Sequence, residues 1–250
     1  MTFSEQLIAC LQSAESICVL TGAGISAESG VPTFRGEEGL WKKFRPEELA
    51  NFNAFIRNPE LVWEWYRYRR QLIHEVKPNP GHYALVDLEN FAGDFTLVTQ
   101  NIDNLHRRAG TKSVVELHGN IERAYCIQCG TAAAGPEMED LSGVPQCRKC
   151  GGLVRPDVVW FGETLPVEAF SKAEAAARRC DLFFSIGTSA VVYPAASLPI
   201  TALNYGAYIV EINRESTDLS SRANETLFGK AGEILPDLLT RANVPQRGKP

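Results

Sequence analysis

Cys126-x-x-Cys129 and Cys147-x-x-Cys150 are two tight thiol pairs separated by residues 130–146, a spacing that suits a four-cysteine zinc ribbon. Four thiolates close a tetrahedral shell and leave no open position, so the metal this pattern implies is structural rather than catalytic. A redox role for either pair is the alternative. A different chemistry is suggested by Gly22 and Gly24 with Ala27 three residues on, the G-x-G-x-x-G/A spacing of a dinucleotide-binding turn. Glycine suits such a turn because backbone must approach a pyrophosphate closely, and the helix start beyond it offers N–H groups to the anion. A plain glycine-rich turn is the alternative. The stretch also departs from the dehydrogenase pattern, because Gly30 and Pro32 interrupt the helix early. Tyr66 and Arg69 lie three apart in a helical stretch and so share a face. Taken by themselves, two such residues on one helix face read as an ordinary solvated pair.

The elements that must position these groups follow from periodicity. Ile17 to Leu20 form an apolar run ending at Thr21, Phe95 to Val98 one ending at Thr99-Gln100-Asn101-Ile102-Asp103, Leu182 to Ile186 one ending at Gly187-Thr188-Ser189, and Tyr208 to Ile212 one ending at Asn213. Four buried strands that each finish in small polar residues predict an open parallel sheet, whose ligands bind just outside the carboxyl ends of its strands. Helices are predicted over residues 4–14, 58–76, 167–179 and 231–241, with another starting at Gly81. Leu61, Trp65, Tyr68 and Leu72 are expected to share one face of the second. His82 is expected to be structural, and Cys10, Cys18 and Cys180 to belong to the core. Val158 to Gly162 reads as an extended apolar edge.

A chain of 250 residues that is 44% apolar can bury a sizeable core. Lys and Arg total 25 against 30 Asp and Glu, a net charge of −5, which argues against binding nucleic acid through its phosphates. The N-terminal stretch lacks a basic start and a continuous apolar core, and no later run reaches membrane-spanning length. The expectation is a cytoplasmic, monomeric protein without membrane association.

GAGISAESGVPTFRG from Gly22, TQNID from Thr99, LHG from Leu117, the two cysteine pairs, IGTS from Ile186 and Ile212-Asn213 resemble, in order, the motifs of the sirtuins, NAD-dependent protein deacylases. The resemblance covers nearly the whole chain. It implies an α/β fold: a Rossmann-type doubly wound parallel sheet (residues 1–35, 81–119 and 159–250), with an inserted small domain made of a helical cofactor- and acyl-binding segment (36–80) and a zinc-binding module (120–158). It implies that the acyl amide oxygen attacks C1′ of the nicotinamide ribose and expels nicotinamide, after which His118 acts as general base, O-acyl-ADP-ribose forms and lysine is released. An imidazole with an ordinary pKa near 6.5 suits that proton transfer. The NAD site it implies comprises Gly22, Ala23, Gly24, Ser26, Ala27, Phe34, Arg35, Trp41, Gln100, Asn101, Ile102, Asp103, Gly187, Thr188, Ser189, Asn213, Arg214 and Ala231. Asp103 as an ion-pair partner of Arg107 is the alternative for that residue. Val159, Trp160, Phe161 and Gly162 would be the strip to which an acyl-lysine protein or peptide adds as an extended strand. Tyr66 and Arg69 are similar to the YxxR element of class III sirtuins, which remove succinyl and malonyl groups, and Ala50 to the small residue that makes room for the longer acyl chain. Cofactors are then NAD and one structural Zn²⁺ on the four paired cysteines. A general deacetylase without acidic-acyl preference, a dehydrogenase and a non-catalytic acyl-lysine and NAD binding module are the rival readings.

Overall fold

A computed structural model describes residues 2–33, 49–133 and 143–246. In chain order its elements are α1 (Glu5–Ser13), β1 (Ser16–Thr21), α2 (Ala23–Ala27), α3 (Phe52–Arg57), α4 (Pro59–Glu75), α5 (Pro80–Phe91), β2 (Asp94–Thr99), α6 (Leu105–Ala109), β3 (Val114–Glu116), β4 (Gly119–Cys126), β5 (Val154–Val158), α7 (Val167–Arg179), β6 (Leu182–Ile186), a 3₁₀ turn (Ala195–Ser197), α8 (Leu198–Asn204), β7 (Tyr208–Asn213), β8 (Glu225–Phe228) and α9 (Ala231–Arg241).

The main sheet has the order β3-β2-β1-β6-β7-β8, and every pair in it is parallel. The chain runs outward from β1 in one direction, then returns to β6 on its other side. This doubly wound order places a topological switch point between β1 and β6. Because both sheet faces are covered, the strands are apolar on both sides. Ile17 and Val19 of β1 pack with Leu85, Leu88, Leu235 and Leu238, from α5 and α9, whereas Cys18 and Leu20 pack with Ala173, Ala177, Leu198 and Ala202, from α7 and α8. Cys18 and Cys180 are buried as expected, but Cys10 is only half-buried. His82 is structural: it completes a capping box with Asn79 at the start of α5, the reciprocal arrangement that satisfies two orphan amides.

A second, smaller core joins α3 and α4 to the antiparallel pair β4/β5, and the Trp63 indole donates to the Val154 carbonyl at 2.9 Å. Asn58 caps α4, accepting from the Leu61 amide at 3.1 Å. Arg108 reaches the other end, donating to the carbonyls of Ile73 at 2.7 Å and Val76 at 2.5 Å, so α4 is closed at both termini. At its root, β4 pairs with β5 through Gly119 and Val158, and the Val159 amide donates to the His118 carbonyl at 3.0 Å. Gly119 has φ +79°, and a Cβ there would lie 2.1 Å from the Asp157 carbonyl oxygen.

Two expectations need correction. The buried residues of α4 are Val62, Trp63, Trp65, Tyr66, Arg69 and Ile73, while Leu61 and Tyr68 are exposed. An apolar pattern alone misaligns this helix because its buried face carries a cation and a phenol. The extended edge over residues 158–162 ends at Val158, after which Trp160 turns inward to 2% exposure while Phe161 stays exposed.

Candidate active site

A cleft of about 1160 Å³ opens at the carboxyl ends of β1, β2, β6 and β7 and extends to the smaller core. Its floor is the glycine loop after β1, set against the loop after β6. Gly22 and Gly24 donate their amides to the carbonyls of Ile186 (3.0 Å) and Gly187 (2.9 Å). A Cβ at Gly22 would stand 2.7 Å from the Gly187 oxygen, and one at Gly24 2.6 Å from the Gly187 Cα. Glycine is thus required here by backbone packing of one loop on the other. The expectation of free amides at the start of α2 holds only in part, since two of them are already used within the protein. The cradle, its polar strand ends and the room above them fit a dinucleotide at a switch point.

Ala23, Ala27, Gln100, Asn101, Ile102, Thr188, Ser189, Asn213, Arg214 and Ala231 also line the cleft. Asn213 donates to the Thr188 carbonyl at 2.7 Å, which couples the ends of β6 and β7. Ser26 lies beneath the lining and receives the Asn101 side-chain amide at 3.2 Å, while the same amide reaches the Gly22 carbonyl at 2.9 Å. Asp103 is also beneath the surface, accepting from the Leu105 amide at 2.9 Å. Burial pushes its carboxyl up, opposed by the Leu105 amide, the Ser26 hydroxyl and the cations Arg69 and Arg108. Arg107 pairs with Glu116 at 3.0 Å, not with Asp103. Phe34, Arg35 and Trp41 lie outside the described residues.

His118 lines the cleft, with Nδ1 3.0 Å from the Gln100 carbonyl oxygen. A carbonyl only accepts, so Nδ1 carries the proton and Nε2 is the basic nitrogen. Burial lowers the His118 pKa below its ordinary 6.5, and the Gln100 carbonyl opposes this. A neutral imidazole beside a ligand cleft is suited to accept a proton.

The opposite wall carries Ala50, Trp65, Tyr66 and Arg69. Arg69 is 7% exposed, and its guanidinium carbon lies 4.7 Å from the centre of the Trp65 ring. Burial lowers its pKa, opposed by Tyr66 and Asp103. The Tyr66 oxygen accepts the Trp160 indole N–H at 2.9 Å. Val159, Trp160, Phe161 and Gly162 line the cleft beside it. The amides of Val159 and Phe161 donate to the carbonyls of His118 and Ala50 at 3.0 Å each, and the Trp160 amide donates to Glu163 at 2.8 Å. An added peptide strand would therefore meet carbonyls in this strip rather than those three amides.

Away from the cleft, the Sγ atoms of Cys126, Cys129, Cys147 and Cys150 all lie within 4.8 Å of one another. Three of the separations are 3.5, 3.7 and 3.5 Å. Four sulfurs at about 2.3 Å from a central zinc would be roughly 3.8 Å apart, so the cluster fits one structural Zn²⁺.

The cleft also contains residues that sequence reading missed, among them Glu28, Thr33 and residues 215–218. One signal for the last group was available. Glu211 stands inside the apolar strand β7, is 1% exposed, and accepts from the hydroxyls of Thr217 and Ser220. A carboxylate in a buried strand must find donors, and these donors tie down the loop that borders the cleft.

Residues 22–194 match the family model described as Sir2 family. A relative from Aquifex aeolicus (strain VF5), named NAD-dependent protein deacylase, is 53% identical over 221 residues, covering 86% of this chain and 90% of the relative. A solved chain described as a Sir2 homolog–NAD complex is 43% identical, with a TM-score of 0.91 over 97% of this chain and 94% of that one. Another, described as Sir2–p53 peptide–NAD+, is 32% identical, with a TM-score of 0.86 over 98% of this chain and 100% of that one.

Proposed function

The chain belongs to the Sir2 family and is an NAD-dependent protein deacylase, and from that premise we propose that it prefers acidic acyl groups, succinyl and malonyl, on protein lysine side chains. The observation that carries this reading is Arg69, a guanidinium almost wholly buried in the cleft wall beside Tyr66.

Bound NAD supplies the ribose carbon that the acyl group attacks and nicotinamide as the leaving group. His118 takes a proton from the ribose hydroxyl through Nε2, while the Gln100 carbonyl holds the ring in the tautomer that leaves Nε2 basic. We assign Gln100, Asn101 and Ile102 to the nicotinamide end, with Ser26 and Asp103 supporting it from beneath. Gly187, Thr188, Ser189, Asn213, Arg214 and Ala231 are assigned to the rest of the dinucleotide. The strip Val159–Gly162 is assigned to the substrate chain that carries the acyl-lysine.

A succinyl or malonyl group brings a carboxylate into a wall built largely of aromatic rings, where an unpaired charge would be prohibitive. Arg69 supplies a matching charge on a fork already restrained by Trp65, so little further ordering is needed on binding. Tyr66 adds a hydroxyl, and the small side chain of Ala50 supports room for the longer chain. Acetyl has no carboxylate and gains nothing from Arg69.

Steady-state kcat/KM on otherwise identical acetyl-, succinyl- and malonyl-lysine peptides tests the reading. Because a hydrogen bond to a charged group is worth about 1.5–3 kcal/mol, Arg69→Met is expected to lower succinyl kcat/KM by about ten- to a hundred-fold relative to acetyl. If desuccinylation survives while deacetylation falls as much or more, the preference is refuted.

A further inference from the structure

The Tyr66 hydroxyl does not stand alone in the cleft wall. Its oxygen accepts the indole N–H of Trp160, and Trp160 is held with unusual completeness for a residue in a loop. The Arg155 guanidinium carbon sits 3.5 Å from the centre of the Trp160 ring, and the Phe55 ring lies 5.3 Å from it, tilted by 44°. Arg155 donates to both oxygens of Glu163, at 2.5 and 2.9 Å, and to the Val158 carbonyl at 2.8 Å. Glu163 in turn accepts the Trp160 amide at 2.8 Å, and the Glu163 amide donates back to the Trp160 carbonyl at 3.0 Å. Arg155 and Trp160 are 3% and 2% exposed. The backbone is thus fixed by a half-buried ion pair, the ring face by a stacked cation and the indole edge by Tyr66.

We propose that Trp160, clamped by Arg155 and Glu163, is a specificity-determining positioning residue that makes Tyr66 a committed hydrogen-bond donor to the acidic end of the acyl group. A phenol can donate or accept. With the indole N–H directed at its oxygen, Tyr66 has its acceptor role filled from the protein side, and its own proton is the part left to offer a ligand. Donation into the oxygen also polarises the O–H bond and strengthens the bond that the hydroxyl then makes. A carboxylate benefits from such a donor, whereas a methyl group does not. Trp160 thus acts on acyl choice without touching the acyl group. The inference rests on the acidic-acyl reading of Arg69 and Tyr66 and explains why the cleft wall is braced where the substrate strip turns.

Trp160→Phe keeps a ring for Arg155 to stack on and removes the N–H together with the five-membered ring, so the comparison with Tyr66→Phe and the double variant isolates the part that acts through the hydroxyl. The readout is the ratio of succinyl to acetyl kcat/KM, measured for the wild type, Trp160→Phe, Tyr66→Phe and the double variant. Trp160→Phe is expected to lower the ratio about three- to ten-fold, the span of one neutral hydrogen bond, chiefly through a higher KM for succinyl peptide. In the Tyr66→Phe background the same substitution is expected to leave the ratio where Tyr66→Phe alone puts it, because Trp160 acts through the missing hydroxyl. A merely structural role would lower both activities together and leave the ratio unmoved. A selective wild type whose ratio survives Trp160→Phe, or a Trp160→Phe effect that persists without the Tyr66 hydroxyl, overturns the clamp alone. A wild type that shows no succinyl preference, with Tyr66→Phe silent, overturns the acyl reading and the clamp with it.

Discussion

At the scale of single residues, the proposed chemistry depends on the protonation of His118. Its ring must be neutral to accept a proton, and burial lowers its pKa from 6.5, so neutral base persists further into acid than an exposed imidazole would allow. The acid limb of kcat/KM against pH is therefore expected below pH 6.5, and a limb at or above that value would contradict the role given to burial. His118→Tyr is expected to reduce turnover by about 10²–10⁴, the range attributed to one general base, while NAD binding followed by calorimetry persists. Turnover within a few-fold of the wild type would remove His118 from the mechanism. The place of His118 beside the cleft was legible because it lies in a short motif next to the cysteine module. Glu163 was not, because its importance comes from Arg155 and Trp160, and sequence spacing does not show a guanidinium stacked on an indole.

At the scale of elements, strands were the most readable feature. Each of the four apolar runs with a polar end is a strand of the main sheet, and each delivers that end to the cleft, because buried parallel strands leave an uninterrupted apolar signature. The α4 helix was recognised but rotated in register, since Tyr66 and Arg69 face inward at positions that an apolar pattern assigns to solvent. The β4/β5 module was legible from four cysteines, whose thiolates converge only when both knuckles form. Because a structural zinc binds and folds its module in one equilibrium, Cys126→Ser or Cys150→Ser is expected to lower Tm and bound zinc together. Metal analysis of the wild type should give one zinc per chain. A variant that is zinc-free and melts like the wild type would show that the cluster does not hold the module together.

At the scale of the whole molecule, two neutral histidines sit inside the main domain. His82 is 0% and His106 2% exposed, and their rings are 4.9 Å apart. Burial lowers His82 from 6.5 to about 3 and His106 well below 6.5, with His82 adding to the latter shift. Below pH 6.5 the unfolded chain binds protons that the native state refuses, so stability falls with pH by up to about 1.4 kcal/mol per unit for each histidine. For His82 that loss continues until about pH 3. Urea midpoints taken from pH 7 to 5 should drop accordingly. His82→Gln, which preserves a side chain suited to the capping box, should make the drop shallower, and an unchanged slope would show that His82 is not a source of the acid sensitivity. The antiparallel pairing of β4 with β5 also fixes how the smaller core meets the cleft. His118 and Val159 are bonded to each other immediately outside the pair Gly119 and Val158, and at Gly119 a side chain would collide with the Asp157 carbonyl. The paired strands that lead to the cysteine cluster therefore meet the cleft with His118 at the root of one and residues 159–162 following the other. Because that bond ties His118 directly to Val159, the proposed base and the proposed substrate strip keep one fixed spacing at the mouth of the cleft.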